Sequence, residues 1–227
     1  MQTARTVTIR RLTLALVWVG FIAYAVVLAP PDQPETIALI QRLASGDWAE
    51  INPAIVALFN LMGLWPLVYA ALLLVDGAGQ RVWAWPFALG SFALGAFALL
   101  PYLVLRSPNP LAPSTPSLVL RGLESRGLGV LVLVGAIALM GYGLAAGDWP
   151  DFVAQWQTSR FIHVMSLDFC ALWLLVPTLL GDDMARRGLK LGSPLTWLMV
   201  IPLIGAALYL TLRPTLPAIA TPAQAEG

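Results

Sequence analysis

Residues 85–105 read WPFALGSFALGAFALLPYLVL. No charged side chain interrupts them, and their length suits a helix crossing a hydrocarbon core about 30 Å thick, which takes roughly 17–25 apolar residues. Working outward from this stretch, similar runs predict six spans, at 12–28, 53–75, 82–105, 127–146, 161–180 and 194–212. Of the 227 residues, 59% are hydrophobic and only 11% charged, against roughly 25% charged in a soluble domain. That leaves too little polar surface to cover a water-exposed globule. The expected fold is therefore all-α: a polytopic bundle of about six transmembrane helices forming a single membrane domain over 1–213, with a disordered tail at 214–227.

The first run follows Arg10 and Arg11 and ends at Ala29-Pro30-Pro31. Its long apolar stretch, with prolines directly after Ala29, predicts a retained span rather than a cleaved signal peptide. Six of the nine tryptophans (Trp48, Trp83, Trp85, Trp149, Trp156 and Trp197) fall at or just outside span ends, where an amphipathic indole prefers the headgroup level. Trp18, Trp65 and Trp173 lie deeper and are expected to pack. Between spans, residues 30–50, 117–126 and 148–160 carry amphipathic patterns expected to lie in the membrane interface, the last with Asp148 as its cap and Pro150 in its first turn. RSPNPLAPSTP at 106–116 reads as extended chain.

Six spans would put Arg5, Arg10, Arg11, Arg81, Arg160 and Arg213 on one side. Arg42, Arg106, Arg121, Arg126, Arg186, Arg187 and Lys190 would then lie on the other. Six against seven gives no orientation by the positive-inside rule. Both termini are expected on the same side. ASGDWAE at 44–50 and AAGDWPD at 145–151 raise an inverted-topology repeat, but the offset drifts from 101 residues at Gly-Asp-Trp to 108 at the following Leu-Trp.

The polar groups inside the spans are few. Asn60, His163 and Asp168 are the candidates, because an ionisable group at mid-membrane costs about 2.5–3.5 kcal/mol and is retained for a reason. Asp168 lies about 10.5 Å beyond Phe161 along a helix, too deep for bulk water. It must be protonated, hydrogen-bonded across a helix interface, or facing a wet cavity. His163, Asp168 and Cys170 do not form a site by themselves. His163 and Cys170 are about 10 Å apart along the axis, and Asp168 points roughly 140° away from His163. His163 is expected to hydrogen-bond near the interface, with axial ligation of a pigment or haem as its alternative. A second histidine for a bis-histidine haem does not exist. Cys170 is expected to be a small buried hydrophobe, and Asn60 to bond a neighbouring helix. Ala84, Ala88, Ser91, Gly95 and Ala98 recur at three- and four-residue spacing and predict a close helix-packing face. One cysteine excludes an internal disulfide and a cysteine-based metal cluster within the chain.

AWPFALGSFALGAFALLPYLVLR (84–106), SRFIHVMSLDFCALWLLVP (159–177) and DDMARRG (182–188) resemble an uncharacterised family of multi-span membrane proteins of cyanobacteria and plant plastids. The resemblance covers most of 50–190. It implies a thylakoid or plasma membrane and a role beside photosynthetic complexes. It brings no assigned catalytic residue. About eleven residues before the first span leave no room for a plastid transit peptide, which favours a bacterial source.

No phosphate-binding glycine loop, metal-ligand cluster or acid pair in a cleft supports an enzyme. A net charge of +1 gives no reason to expect nucleic acid. The expected function is non-enzymatic: an assembly, scaffold or accessory factor whose partners are the bilayer and other membrane proteins, without metal or cofactor. The alternative is a small transporter or proton-coupled carrier using Asp168.

Overall fold

The computed structural model describes residues 4–109, 117–190 and 192–216. Within them the fold is all-helical. α1 (Ala4–Ala23) runs into a π-helical turn at Tyr24–Leu28, followed by α2 (Thr36–Ser45) and α3 (Pro53–Asp76). α4 (Trp85–Leu105), α5 (Leu118–Leu123), α6 (Arg126–Ala146) and α7 (Trp149–Thr158) come next. α8 (Arg160–Leu175), α9 (Pro177–Arg186), α10 (Pro194–Trp197), a 3₁₀ turn at Leu198–Val200 and α11 (Ile204–Leu212) complete the chain. Five helical stretches are long and apolar enough to cross a membrane: Arg5–Leu28, Pro53–Asp76, Trp85–Leu105, Arg126–Ala146 and Arg160–Arg186. That is compatible with an integral membrane protein. The tail expected to be disordered lies, beyond Leu216, outside the described residues.

The stretch that began the sequence reading is not a straight rod. At Gly95 the backbone takes φ 50° and ψ −128°, a conformation only glycine adopts without strain. The two halves of α4 then fold against each other. The Phe87 and Tyr102 rings stand 5.7 Å apart, where a straight helix would separate them by about 22 Å. Gln80 clamps the open end, donating from Nε2 to the Ser107 carbonyl (2.7 Å) while its Oε1 accepts from the Ser107 amide (3.0 Å). α4 is thus a helical hairpin that enters and leaves at one end of the bundle.

The expected span at 194–212 is also a hairpin. Thr196 Oγ1 sits 3.7 Å from Met184 Sδ, and Arg213 reaches the adjoining Asp183 at 3.2 Å. Both ends of the segment therefore meet one turn of α9. Pro202 supplies no amide hydrogen, and Leu203 at φ 55° turns the chain back. The fifth expected span is longer than 161–180, continuing through a kink at Val176-Pro177 to Arg186.

With both hairpins folded back, the basic residues separate. Arg5, Arg10, Arg11, Arg81, Arg106, Arg121, Arg126, Arg186, Arg187, Lys190 and Arg213 gather at the end of the bundle where Asp76 lies. Arg11 bonds Ser107 there, Gln80 bonds Ser107, and Arg187 and Arg213 both bond Glu124. Only Arg42 and Arg160 of the 13 basic residues sit at the opposite end. The expected six-against-seven partition does not describe the two ends of the bundle, because it took each hairpin as one straight helix.

An internal repeat is present, but it is not the inverted one. Tyr102-Leu-Val-Leu-Arg106 recurs as Tyr209-Leu-Thr-Leu-Arg213, and each motif follows an aspartate, Asp76 or Asp183, by 26 residues. The shift is 107 residues, and the same shift carries Pro53–Asp76 onto 160–183. Each half reads span, short helix, span, hairpin: α1, α2, α3, α4, then α6, α7, α8–α9, α10–α11. Two long helical stretches and a hairpin bring the chain back to the Asp76 end of the bundle, so both halves run in the same direction.

α3 and α6 pack closely along their lengths. A Cβ on Gly143 would stand 2.7 Å from the Ala57 Cβ, so a close-packing face like that expected of the 84–98 stripe is present on α6 as well. Ala84, Ala88, Ser91 and Gly95 are buried. Ala98 lies beyond the break and turns back on Gly90, whose added Cβ would be 3.3 Å away. A shared face through all five does not exist.

Candidate functional site: a broken helix, a buried carboxylate and a cavity

The hairpin break leaves the first amide of the second half-helix without an intrahelical acceptor. Asp168, on α8, supplies one: its Oδ1 accepts the Ala96 N–H at 2.9 Å. The carboxylate occupies the space that a Gly95 side chain would need. Of the three environments open to Asp168 in the sequence, the structure shows the hydrogen bond across a helix interface. The residue also lines a cavity of about 600 Å³. Asp168 is 5% exposed, and its Oδ2 makes no hydrogen bond among the described residues.

The cavity runs between the π-helical turn, α3, the tip of α4 and α8. Its walls are mostly apolar, with Phe59, Met62, Phe92, Phe97, Phe161 and Met165 among them. Gly63 and Ser91 also face it, and Asp32 and Arg160 stand at its mouth. Those two ions pair with each other at 2.8 Å. Ser91 donates its hydroxyl to the Ala88 carbonyl (2.7 Å). Among the lining residues, Asp168 is therefore the one ionisable group without a counter-ion.

Proline and the break free further backbone groups, and side chains from adjacent helices meet them. Pro101 has no N–H to offer the Phe97 carbonyl; Trp18 Nε1 donates to it at 3.1 Å. Trp173 Nε1 does the same for Met199 in the second hairpin, at 2.7 Å. Where α8 kinks before Pro177, Tyr69 OH donates to the Leu172 carbonyl at 2.5 Å. A carbonyl left unmet away from water would be costly.

His163 is held next to the cavity but points elsewhere. The Trp156 carbonyl, 2.9 Å from Nδ1, can only accept, so Nδ1 carries the proton. Nε2 then accepts from Tyr24 OH at 2.8 Å. The ring stacks on Trp156 with centroids 4.3 Å apart. Both nitrogens are engaged, which leaves no free lone pair for a pigment or haem. Asn60 does not reach a neighbouring helix; its Nδ2 donates to Val56 of its own helix at 2.8 Å. Cys170 is exposed on the outer surface rather than buried, since its position on α8 faces away from α3 and α4.

The largest polar assembly was missed in the sequence reading. Asp76 Oδ2 accepts from Tyr102 OH and Arg106 Nε, both at 2.7 Å, and Oδ1 accepts from Arg186 at 2.7 Å. Asp183 Oδ2 accepts from Tyr209 OH (2.6 Å), Arg187 Nε (2.9 Å) and Arg213 (3.2 Å). Asp182 joins Arg106, and Glu124 pairs with both Arg187 and Arg213. Four carboxylates thus meet four guanidiniums in a balanced, buried knot. Burial by itself would lower the pKa of Arg106 and of Arg187, but hydrogen bonds and charge from Asp76 and Asp183 respectively outweigh it and hold both above the ordinary arginine value. The repeat of Asp and Tyr-Leu-x-Leu-Arg at a common shift was the available signal. It is a structural clasp: every carboxylate in it is paired. Among the described residues no group of three histidine, cysteine, aspartate or glutamate side chains could hold a metal ion.

No family model, curated protein or solved structure matches the chain.

Proposed function

We propose that the chain is a small membrane carrier, with Asp168 as the group that binds an ion, a proton or a charged solute. One observation carries this reading: a helix broken at Gly95, its freed amide held by a buried carboxylate, beside a cavity of about 600 Å³. Non-helical backbone at membrane depth is tolerated where it is buried in protein or lines a cavity, and discontinuous helices form the binding sites of many transporters. In this reading four helices cross the bilayer, α4 and the 194–212 segment are re-entrant, and α2, α5 and α7 lie in the interface. The eleven basic residues at the Asp76 end favour a cytoplasmic position for that end. The membrane implied by the family resemblance is a thylakoid or plasma membrane.

The test uses the single native cysteine. In a Cys170→Ala background, Ser91→Cys and Val164→Cys put thiols on the cavity wall. A charged, membrane-impermeant thiol reagent labels both in proteoliposomes if the cavity is wet. Protection of both, with a lipid-exposed control equally unreactive, counts against a carrier.

A second reading, an assembly or accessory factor for membrane complexes, draws on α1. Only 6% of its apolar window is buried, and Leu12, Leu16, Val19 and Val27 are exposed. It predicts co-purification with a larger assembly in mild detergent, lost when these four residues are changed to bulkier ones.

A further inference from the structure

We infer that the solute taken by this cavity is a hydrophobic organic monocation. The inference rests on the carrier reading and names its substrate class. The lining offers one carboxyl group without a counter-ion, since Asp32 and Arg160 pair with each other. It is Asp168, which is 5% exposed and has one oxygen without a hydrogen bond among the described residues. Phe59, Phe92, Phe97 and Phe161 line the same cavity, and ring faces attract a cation most when water is excluded.

Other solutes fit less well. An anion would face Asp168, while Arg160 is already committed to Asp32 and the Pro30 carbonyl. A polyol needs many hydrogen-bonding groups, whereas the Ser91 hydroxyl is turned to its own helix. A bare metal cation needs several oxygen ligands, and Asp168 presents one free oxygen. A cation carrying apolar substituents needs only the single carboxylate and the apolar wall.

Tetraphenylphosphonium and tetraphenylborate have the same shape and opposite charge, so they separate charge from greasiness. Binding to the purified full chain in detergent is read by equilibrium dialysis of labelled probe. The expected result is saturable binding of the phosphonium, with the borate not saturable. Asp168→Asn keeps an oxygen for the Ala96 amide and should weaken phosphonium binding about tenfold or more. Gly63→Leu leaves Asp168 in place and narrows the cavity, because nothing lies within 4 Å of a Cβ built there. It should weaken binding while the thermal midpoint stays near wild type.

Equal binding of the borate, or phosphonium binding unchanged in Gly63→Leu and Asp168→Asn, overturns the inference. If the cavity thiols are labelled from water while the phosphonium shows no preference, this inference fails alone. If the thiols are protected as well, the carrier reading fails with it.

Discussion

Asp76 is fully buried and accepts from Tyr102, Arg106 and Arg186. Removing its charge takes a buried counter-ion from both Arg106 and Arg186 in a place that water does not reach. Such a loss typically costs about 3–5 kcal/mol. Asp76→Asn should therefore cut the folded fraction sharply in a thermal or SDS titration. Asp183→Asn should do so to a similar extent, because Tyr209 and Arg213 repeat the same arrangement. Asp32→Asn breaks an exposed pair instead and should change stability by about 1 kcal/mol or less. Gly95 is the other decisive residue. A side chain there meets both a strained backbone, worth about 1–3 kcal/mol, and the Asp168 carboxylate. Gly95→Ala should destabilise measurably in the same titration, whereas Gly63→Ala, with open space around it, should not.

At the level of elements, α4 is a hairpin because several weak features agree. Gly95 permits the turn, Asp168 holds the first amide after it, and Pro101 frees a carbonyl that Trp18 occupies. The Trp18–Phe97 bond can be isolated by a double-mutant cycle. Trp18→Phe should cost about 1–3 kcal/mol, because it leaves a partly buried carbonyl without a donor. Pro101→Ala restores an amide within the helix, so in that background Trp18→Phe should cost far less. Equal penalties in both backgrounds would mean that the indole acts through packing alone. The second hairpin uses the same device, with Trp173 on Met199, although its turn is made by Pro202 and Leu203 instead of glycine.

Over the whole molecule, two same-facing halves meet through α9 and the residue after it, which carry Asp182, Asp183, Arg186 and Arg187 into the shared ion network. Arg186 crosses to Asp76 of the first half, and Arg187 stays with Asp183 of the second. This arrangement separates charge along the bundle axis: Asp32, Glu35, Asp47, Glu50, Asp148 and Asp151 sit opposite the basic end. Cysteines at positions 80, 121 and 190, in the Cys170→Ala background, should all be shielded from an impermeant reagent in intact cells. A cysteine at position 33 should label directly. Six straight spans would put position 80 opposite 121 and 190, so a split between them would overturn the hairpin topology.

Composition alone determined the solvent and the helical class. With so few charges, most backbone polar groups must be satisfied within helices, and helix-length apolar runs follow from that. Cap chemistry was legible too: Asp148 accepts the Asp151 amide at 3.1 Å, and Pro150 fills the first turn as expected. The hairpins were not legible, because hydropathy measures length and greasiness and is blind to a reversal within a greasy run. What bends 85–105 is a carboxylate 72 residues away in sequence. Apart from Arg187 with Asp183, the arginine–aspartate knot likewise pairs groups separated by 30 to 110 residues. Only the tertiary structure decides which of these charges are neighbours, since in a low-dielectric interior each must find a partner through space.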